Sequence, residues 1–345
     1  MILPANDTSA ILLLLVSLLC FGSWVNTFKL AGPRWRFELY SIDFAAGITL
    51  ISLLAAFTLG SVGSDLSFSD RLLVAGRSSQ AFVVAAGFLF SLGNMLLLAA
   101  VSLLGVSGAF PIGIGSALVV GSLFSFRTTN GLFFITGIVL IIVSIVLDVA
   151  ACRIRDASNR KPVAAKTPGK LPAKPANKRT GKGLFLAIFG GIILGFFYPI
   201  AAKGMTGDLA LGPYAGMLMF SIGVLISTVV FDFYFLNIAI DGGPLKFSAY
   251  FQGVARQHFL GLAGGALWAV GALAASLALA IPVQTGFHPA LKLILPAASV
   301  LLALLWGAFG WREFKAAPAS AKRWLGLAAA FFVGGVVLIG LGLGS

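Results

Sequence analysis

From Ser91 to Phe126 the chain reads SLGNMLLLAAVSLLGVSGAFPIGIGSALVVGSLFSF, with no Lys, Arg, Asp or Glu before Arg127. A membrane crossing takes about 20 apolar residues to span roughly 30 Å of hydrocarbon, so this stretch is long enough for two. Gly105 to Gly108 and Pro111 mark the turn between them, and Asn94 is its one amide side chain. The rest of the chain follows suit. Apolar runs of spanning length cover Ala10–Lys29, Ile42–Leu59, Ser79–Leu103, Gly108–Phe126, Gly131–Ala151, Gly183–Lys203, Pro213–Leu236, Gln257–Ala280, Pro289–Gly310 and Trp324–Leu343. With 59% hydrophobic and 10% charged residues, lipid must be the solvent for most of this surface. Backbone groups in lipid must bond internally, and the alternating polar pattern of a membrane barrel is missing. The expected fold is therefore an all-α membrane protein with ten transmembrane helices.

The chain also reads as one unit written twice. At an offset of 178 residues, Gly87, Gly93, Ala100, Gly108 and Pro111 fall on Gly265, Gly271, Ala278, Gly286 and Pro289. At an offset of 174, Lys29 and Tyr40 fall on Lys203 and Tyr214. Between the halves, Arg153 to Lys182 holds ten Lys/Arg and one Asp, with Pro162, Pro168, Pro172 and Pro175. Such a segment cannot bury a core and reads as a flexible linker beside anionic lipid. The expected division is a first five-helix repeat, 1–151, a basic linker, 152–182, and a second repeat, 183–345. An odd number of helices per repeat sets the halves in opposite orientations, the inverted plan of many secondary transporters. Nineteen of the 24 Lys/Arg fall in connections on the linker's side, which predicts that the linker is cytoplasmic. No basic n-region precedes Ala10–Lys29, so this run is expected to stay as a span rather than be cleaved as a leader.

A polar or aromatic residue in such helices needs a reason. Trp24 offers a stacking face for a planar or ring-shaped solute, or sits in an interfacial aromatic belt. Asn26 and Lys29 lie near it, and Lys29 is expected to snorkel to the interface. Arg34 to Glu38 reads as an interfacial clamp with a local ion pair. Asn94 either bonds a neighbouring helix or faces a polar cavity, since an unpartnered amide in lipid is costly. Trp268 lies near the matching level of the second half. Tyr198-Pro199 interrupts the sixth run, where a proline can free carbonyls to line a cavity. His288 and Lys292 are four apart and share a helix face, with Gln284 nearby. If buried, Lys292 would hold an anionic or carbonyl-rich solute. Trp24, Asn26, Asn94, Tyr198, Trp268 and Lys292 are thus the substrate-site candidates. Asp43, Asp148 and Asp232, near span ends, and His288 are candidates for ion or proton coupling, against the plainer reading of solvated end charges. Glu313 is expected to pair with Arg312 or Lys315.

Other chemistry finds little footing. The two cysteines, Cys20 and Cys152, have no metal or disulfide spacing, and His258 and His288 lie thirty residues apart. HExxH, GxSxG and P-loop patterns are missing; the GKG at Gly181–Gly183 lacks the remaining P-loop residues. No catalytic residue, metal site or cofactor is expected. The basic charge is concentrated in the linker, so no nucleic-acid partner is expected; the expected partners are a small-molecule substrate, the lipid bilayer and, as a candidate, a second copy in a homodimer.

The stretches CFGSWVNTFKL, WRFELYSIDFAAGI, GFLFSLGNMLLLAAVSLLGVSGAFPIGIGSALVVG, ALWAVGALAASLA and PALKLILPAASVLLALLWGAFGWREF resemble the drug/metabolite transporter superfamily. Within it they look most like bacterial relatives of the plant ureide permeases and of the glucose/ribose porter group. The resemblance covers the chain apart from the linker. It implies two inverted five-helix repeats around a central cavity, a secondary transporter that is often proton-coupled, and a long central cytosolic loop. In plant members that loop carries a nucleotide-binding-like motif, which this chain lacks. The function expected is alternating-access transport of a small polar metabolite, ureide- or nucleobase-like or a sugar, in a bacterial inner membrane. The competing expectation is a membrane scaffold or accessory subunit without transport. A cavity reaching mid-membrane, lined by the candidate residues, separates the two.

Overall fold

The computed structural model describes residues 2–3, 6–63, 65–125, 129–158, 176–281 and 290–343. Ten helices long and apolar enough to cross a membrane account for most of them. They are α1 (Asp7–Ala31), α2 (Phe37–Phe57), α3 (Arg77–Leu104), α4 (Val106–Phe124), α5 (Gly131–Ser158), α6 (Arg179–Met205), α7 (Pro213–Asn237), α8 (Ala255–Ala280), α9 (Leu291–Gly310) and α10 (Ala319–Gly342). Local chemistry sets their ends. The Asn6 side chain accepts from the Ser9 amide at the start of α1. Gly32 and Gly105, at φ 90° and 84°, end α1 and α3 in a conformation that costs glycine little.

Two boundaries depart from the sequence reading. The linker of 152–182 is shorter at both ends. α5 runs on to Ser158, and the helix of α6 begins at Ala176. The reason is Arg155, whose guanidinium is drawn back to the protein. It donates to the Leu104 carbonyl at 2.8 Å and to Asp156 at 2.8 Å, while the Thr180 hydroxyl reaches Asp156 at 2.8 Å. Pro199 does not interrupt α6. The helix continues through it to Met205, and the Gly195 carbonyl, left without a helical donor, lies against Gly121 of α4. The breaks fall elsewhere, at Trp24 in α1 and at Ala298, after Pro296, in α9.

Side-by-side packing is regular. α1 lies on α8 and α9, while α6 lies on α3 and α4. α2 lies on α8 and α7 on α3, and the pairs α2–α7, α4–α9 and α5–α10 also touch. Adding five to each number in the first half maps this set onto itself. The crossings repeat in atomic detail. A Cβ on Gly87 of α3 would stand 2.1 Å from the Phe220 carbonyl oxygen of α7; one on Gly265 of α8 would stand 2.0 Å from the Phe44 carbonyl oxygen of α2. Helices can approach this closely only where no side chain intervenes, which is how small residues drive association in lipid.

Candidate functional site

The middle of the bundle is aromatic. Trp268 of α8 lies 4.1 Å from Phe90 of α3, 5.5 Å from Phe220 of α7 and 5.8 Å from Phe21 of α1, centroid to centroid. Phe197 of α6 joins at Phe90, 5.5 Å away. Beside this group Trp24 of α1 meets Phe44 of α2 at 5.0 Å and Phe110 of α4 at 6.1 Å. Seven helices thus send rings toward one level. Trp24 is buried, which removes the aromatic-belt reading for it. Asn94, one turn along α3 from Phe90, is 3% exposed, and its side-chain amide makes no hydrogen bond to another described residue. The helix-glue reading therefore lacks the bond it needs.

The expected wet cavity lined by the candidates is not what the rings enclose. At these separations they fill the space between themselves. A cavity of about 140 Å³ does occur, between α2 and α7, but none of Trp24, Asn94, Tyr198 or Trp268 lines it. Tyr198 stands apart. Phe185, Phe189, Ile192 and Phe196 form the outward stripe of α6, and Tyr198 lies about 200° round the helix from Phe196, yet it is 38% exposed. Lys292 does not meet the rings either. Its ammonium caps the end of α8, donating to the Ile281 carbonyl at 2.6 Å and to Leu279 at 3.4 Å. His288 and Gln284 lie outside the described residues.

At the face that carries the basic segment, the two halves are latched. Glu313, in the turn after α9, pairs with Lys29 of α1, not with Arg312 or Lys315. Lys29 accordingly does not snorkel away, and its ammonium lies 4.9 Å from the Trp311 ring. The same carboxylate accepts from the amides of Val106 and Ser107, both at 2.9 Å, and from the Ser107 hydroxyl. These are the first amides of α4, where a helix favours negative charge. Local structure makes the approach possible. Arg312, at φ 54°, is the one non-glycine residue with a positive φ among those described, and it turns Glu313 inward. A Cβ on Gly105 would stand 2.6 Å from the Glu313 carboxyl carbon. Asn26 belongs to the latch: its Oδ1 accepts from the Trp311 indole at 2.7 Å. On the repeat-matched lysine the picture differs. Lys203 has no carboxylate partner among the described residues, and its ammonium stands 5.6 Å from the Phe82 ring.

The three aspartates are not solvated end charges. Asp43, Asp148 and Asp232 are 3%, 0% and 3% exposed. Asp43 accepts from the Tyr250 hydroxyl at 2.6 Å and meets His258 Nδ1 at 3.0 Å. Tyr250 lies in the short turn Phe247–Gln252, and burial together with Asp43 pushes its phenol above the usual range. Asp148 and Asp232 have no hydrogen-bond partner for either oxygen among the described residues. Arg36 and Glu38 do pair, but Glu38 is fully buried, so the clamp reaches inside the protein. Sequence reasoning missed Glu313 and His258 as structural hubs. The tandem Trp311-Arg312-Glu313 was visible, but its partners lie more than two hundred residues away.

No family model matches the chain. Among characterised proteins it is similar to Ureide permease 4 of Arabidopsis thaliana, 25% identical over 291 residues, which covers 67% of this chain and 73% of the relative. Ureide permease 2 of the same plant is 30% identical over 127 residues, covering 35% of this chain and 32% of the relative. Ureide permease 5 is 29% identical over 130 residues, covering 36% and 32%. One solved protein crystal structure aligns over 96% of this chain and 95% of its own, with a TM-score of 0.55 at 16% identity, a likeness that bears on the fold alone. Together with ten apolar helices, these likenesses support a multi-pass integral membrane protein related to permease-type transporters.

Proposed function

We propose that this chain is a secondary transporter that moves a small polar, planar or ring-shaped metabolite by alternating access. Ureides and nucleobase-like heterocycles come first as the solute class, sugars second. The observation that carries the reading is the unequal state of the two repeat-matched lysines. Lys29 is bound by Glu313 across the halves; Lys203 has no such partner among the described residues. In two inverted five-helix repeats these lysines sit at opposite faces, so a latch on one alone describes a carrier closed at one side. The reciprocal packing of α1 with α8 and α6 with α3 supports the repeat plan. The buried rings of Trp268, Phe90, Phe220 and Trp24 supply stacking surfaces, and the Asn94 amide supplies a donor and an acceptor that no described residue uses. In the latched form these rings close on one another, and solute entry has to part them.

In this reading the basic segment is cytoplasmic, in a bacterial inner membrane, and the latch is the cytoplasmic gate. Tyr198 faces the path from the opposite side. Lys292 and Asn26 serve as cap and latch rather than solute ligands, while Asp43 with His258, and Asp232, are the groups placed for coupling to a proton. The superfamily is that of the drug/metabolite transporters. The closed ring cluster, with none of the substrate-site candidates lining the α2–α7 cavity, accords with a scaffold; the one-sided Lys29–Glu313 latch and the likeness to permeases favour transport.

Uptake of labelled ureides, pyrimidine bases and monosaccharides into proteoliposomes tests the proposal. The expected result is saturable uptake of one class, lowered at least tenfold by Trp268→Ala or Asn94→Ala. Uptake of none, or uptake indifferent to both substitutions, contradicts it.

A further inference from the structure

The cavity between α2 and α7 has a floor unlike its walls. Ile42, Ala45, Leu225, Val229, Phe233, Leu236 and Phe247 are apolar; Asp232 and Thr228 are not. On its outer rim Val229 and Phe233 are 57% and 53% exposed, the values of side chains that face lipid. Asp232 lines this space, is almost wholly buried, and finds no donor for either carboxylate oxygen among the described residues. An isolated carboxylate in apolar surroundings costs far more than its neutral acid, so a group without a cation or donors is accommodated with a proton. The neighbours offer no relief. Glu38 of α2 acts on Asp232 with the same sign, and its own charge is matched by Arg36. Asp43 of α2 is turned to His258 of α8. The charges of the short helix Phe68–Val74, Asp70 and Arg71, lie near the opposite end of α7, and α3 carries its only charge, Arg77, at its start.

We propose that Asp232 is a proton-binding carboxyl whose crevice between α2 and α7 opens to the lipid side. Its neighbour Thr228, one turn earlier in α7, holds Ser91 of α3 at 2.9 Å between hydroxyls. Ser91 lies between Phe90 and Asn94, so the cavity that holds Asp232 and Thr228 is joined to the aromatic centre by the Thr228–Ser91 bond. The proposal deepens the coupling part of the transport reading, yet its test needs no solute and no uptake.

The probe is a hydrophobic carbodiimide, applied to the full chain in liposomes at neutral pH. A protonated carboxyl gives its proton to one nitrogen while its oxygen bonds the central carbon. Acyl transfer to nitrogen then leaves a stable N-acylurea, with every atom retained and no oxidant needed. Peptide mass mapping is expected to place one adduct on Asp232, to lose it in Asp232→Asn, and to find it reduced at least tenfold with a water-soluble carbodiimide. Asp148 is the internal control. Like Asp232 it is buried and has no hydrogen-bond donor for either oxygen among the described residues, but it stands outside the lining of the α2–α7 cavity and has the Arg155 cation acting on it, so it is expected to stay unlabelled. No adduct at Asp232, an adduct formed equally by the water-soluble reagent, or labelling of Asp148 in its place would each overturn the proposal. Uptake failing while Asp232 labels would instead count against the transport reading alone.

Discussion

Among the described side chains, Glu313 gathers an unusual number of polar partners. One carboxylate meets a lysine ammonium, two helix-start amides and a hydroxyl, and it joins α1, α4 and the turn after α9. Charge-assisted bonds of this kind are the strong ones, and removing one member of a buried pair strands the other. Glu313→Ala is expected to cost about 3 kcal/mol, read as a lowered unfolding midpoint in detergent. Glu313→Gln keeps an acceptor for the Val106 and Ser107 amides and is expected to cost less than half as much. Equal losses for the two would mean that the charge contributes nothing. Gly105→Ala tests the same contact from the other side. Its Cβ has no room beside the Glu313 carboxyl, and its φ of 84° suits glycine, so it is expected to destabilise about as much as Glu313→Gln.

At the scale of helices, the bundle depends on crossings where backbone meets backbone. Gly87 against Phe220 and Gly265 against Phe44 are the same contact made twice. Gly87→Leu or Gly265→Leu forces α3 from α7 or α8 from α2 and is expected to cost about 1–3 kcal/mol each by overpacking. Gly326→Ala, with nothing within 4 Å of the new Cβ, is expected to be silent in the same unfolding measurement. The ten spans and these glycine pairs were legible in the sequence because hydropathy and small-residue spacing are local signals. Asp148 and Asp232 were misjudged in part because their place near span ends suggests water; tertiary packing covers them instead. Pro199 misled for a similar reason. A proline removes one helical bond, but a helix held by neighbours keeps its course.

For the molecule as a whole, the count of spans was legible in the sequence, while long-range pairings stayed hidden. Nothing in a one-dimensional string ties Lys29 to Glu313 or Asp43 to His258, since each pair spans two halves. Trp24 and Trp268 stand out in the sequence as aromatic residues within apolar runs; that their rings close on their neighbours follows only from the packing of seven helices. A carrier whose latch holds one face shut must release it in every cycle. The direct measurement is proteoliposome uptake by a chain with Lys29→Cys and Glu313→Cys, in a background of Cys20→Ala and Cys152→Ala. Bridging the two thiols with a short bis-methanethiosulfonate reagent is expected to stop uptake, and reduction of the bridge to restore it. Uptake that continues undiminished with the crosslink formed would contradict the account.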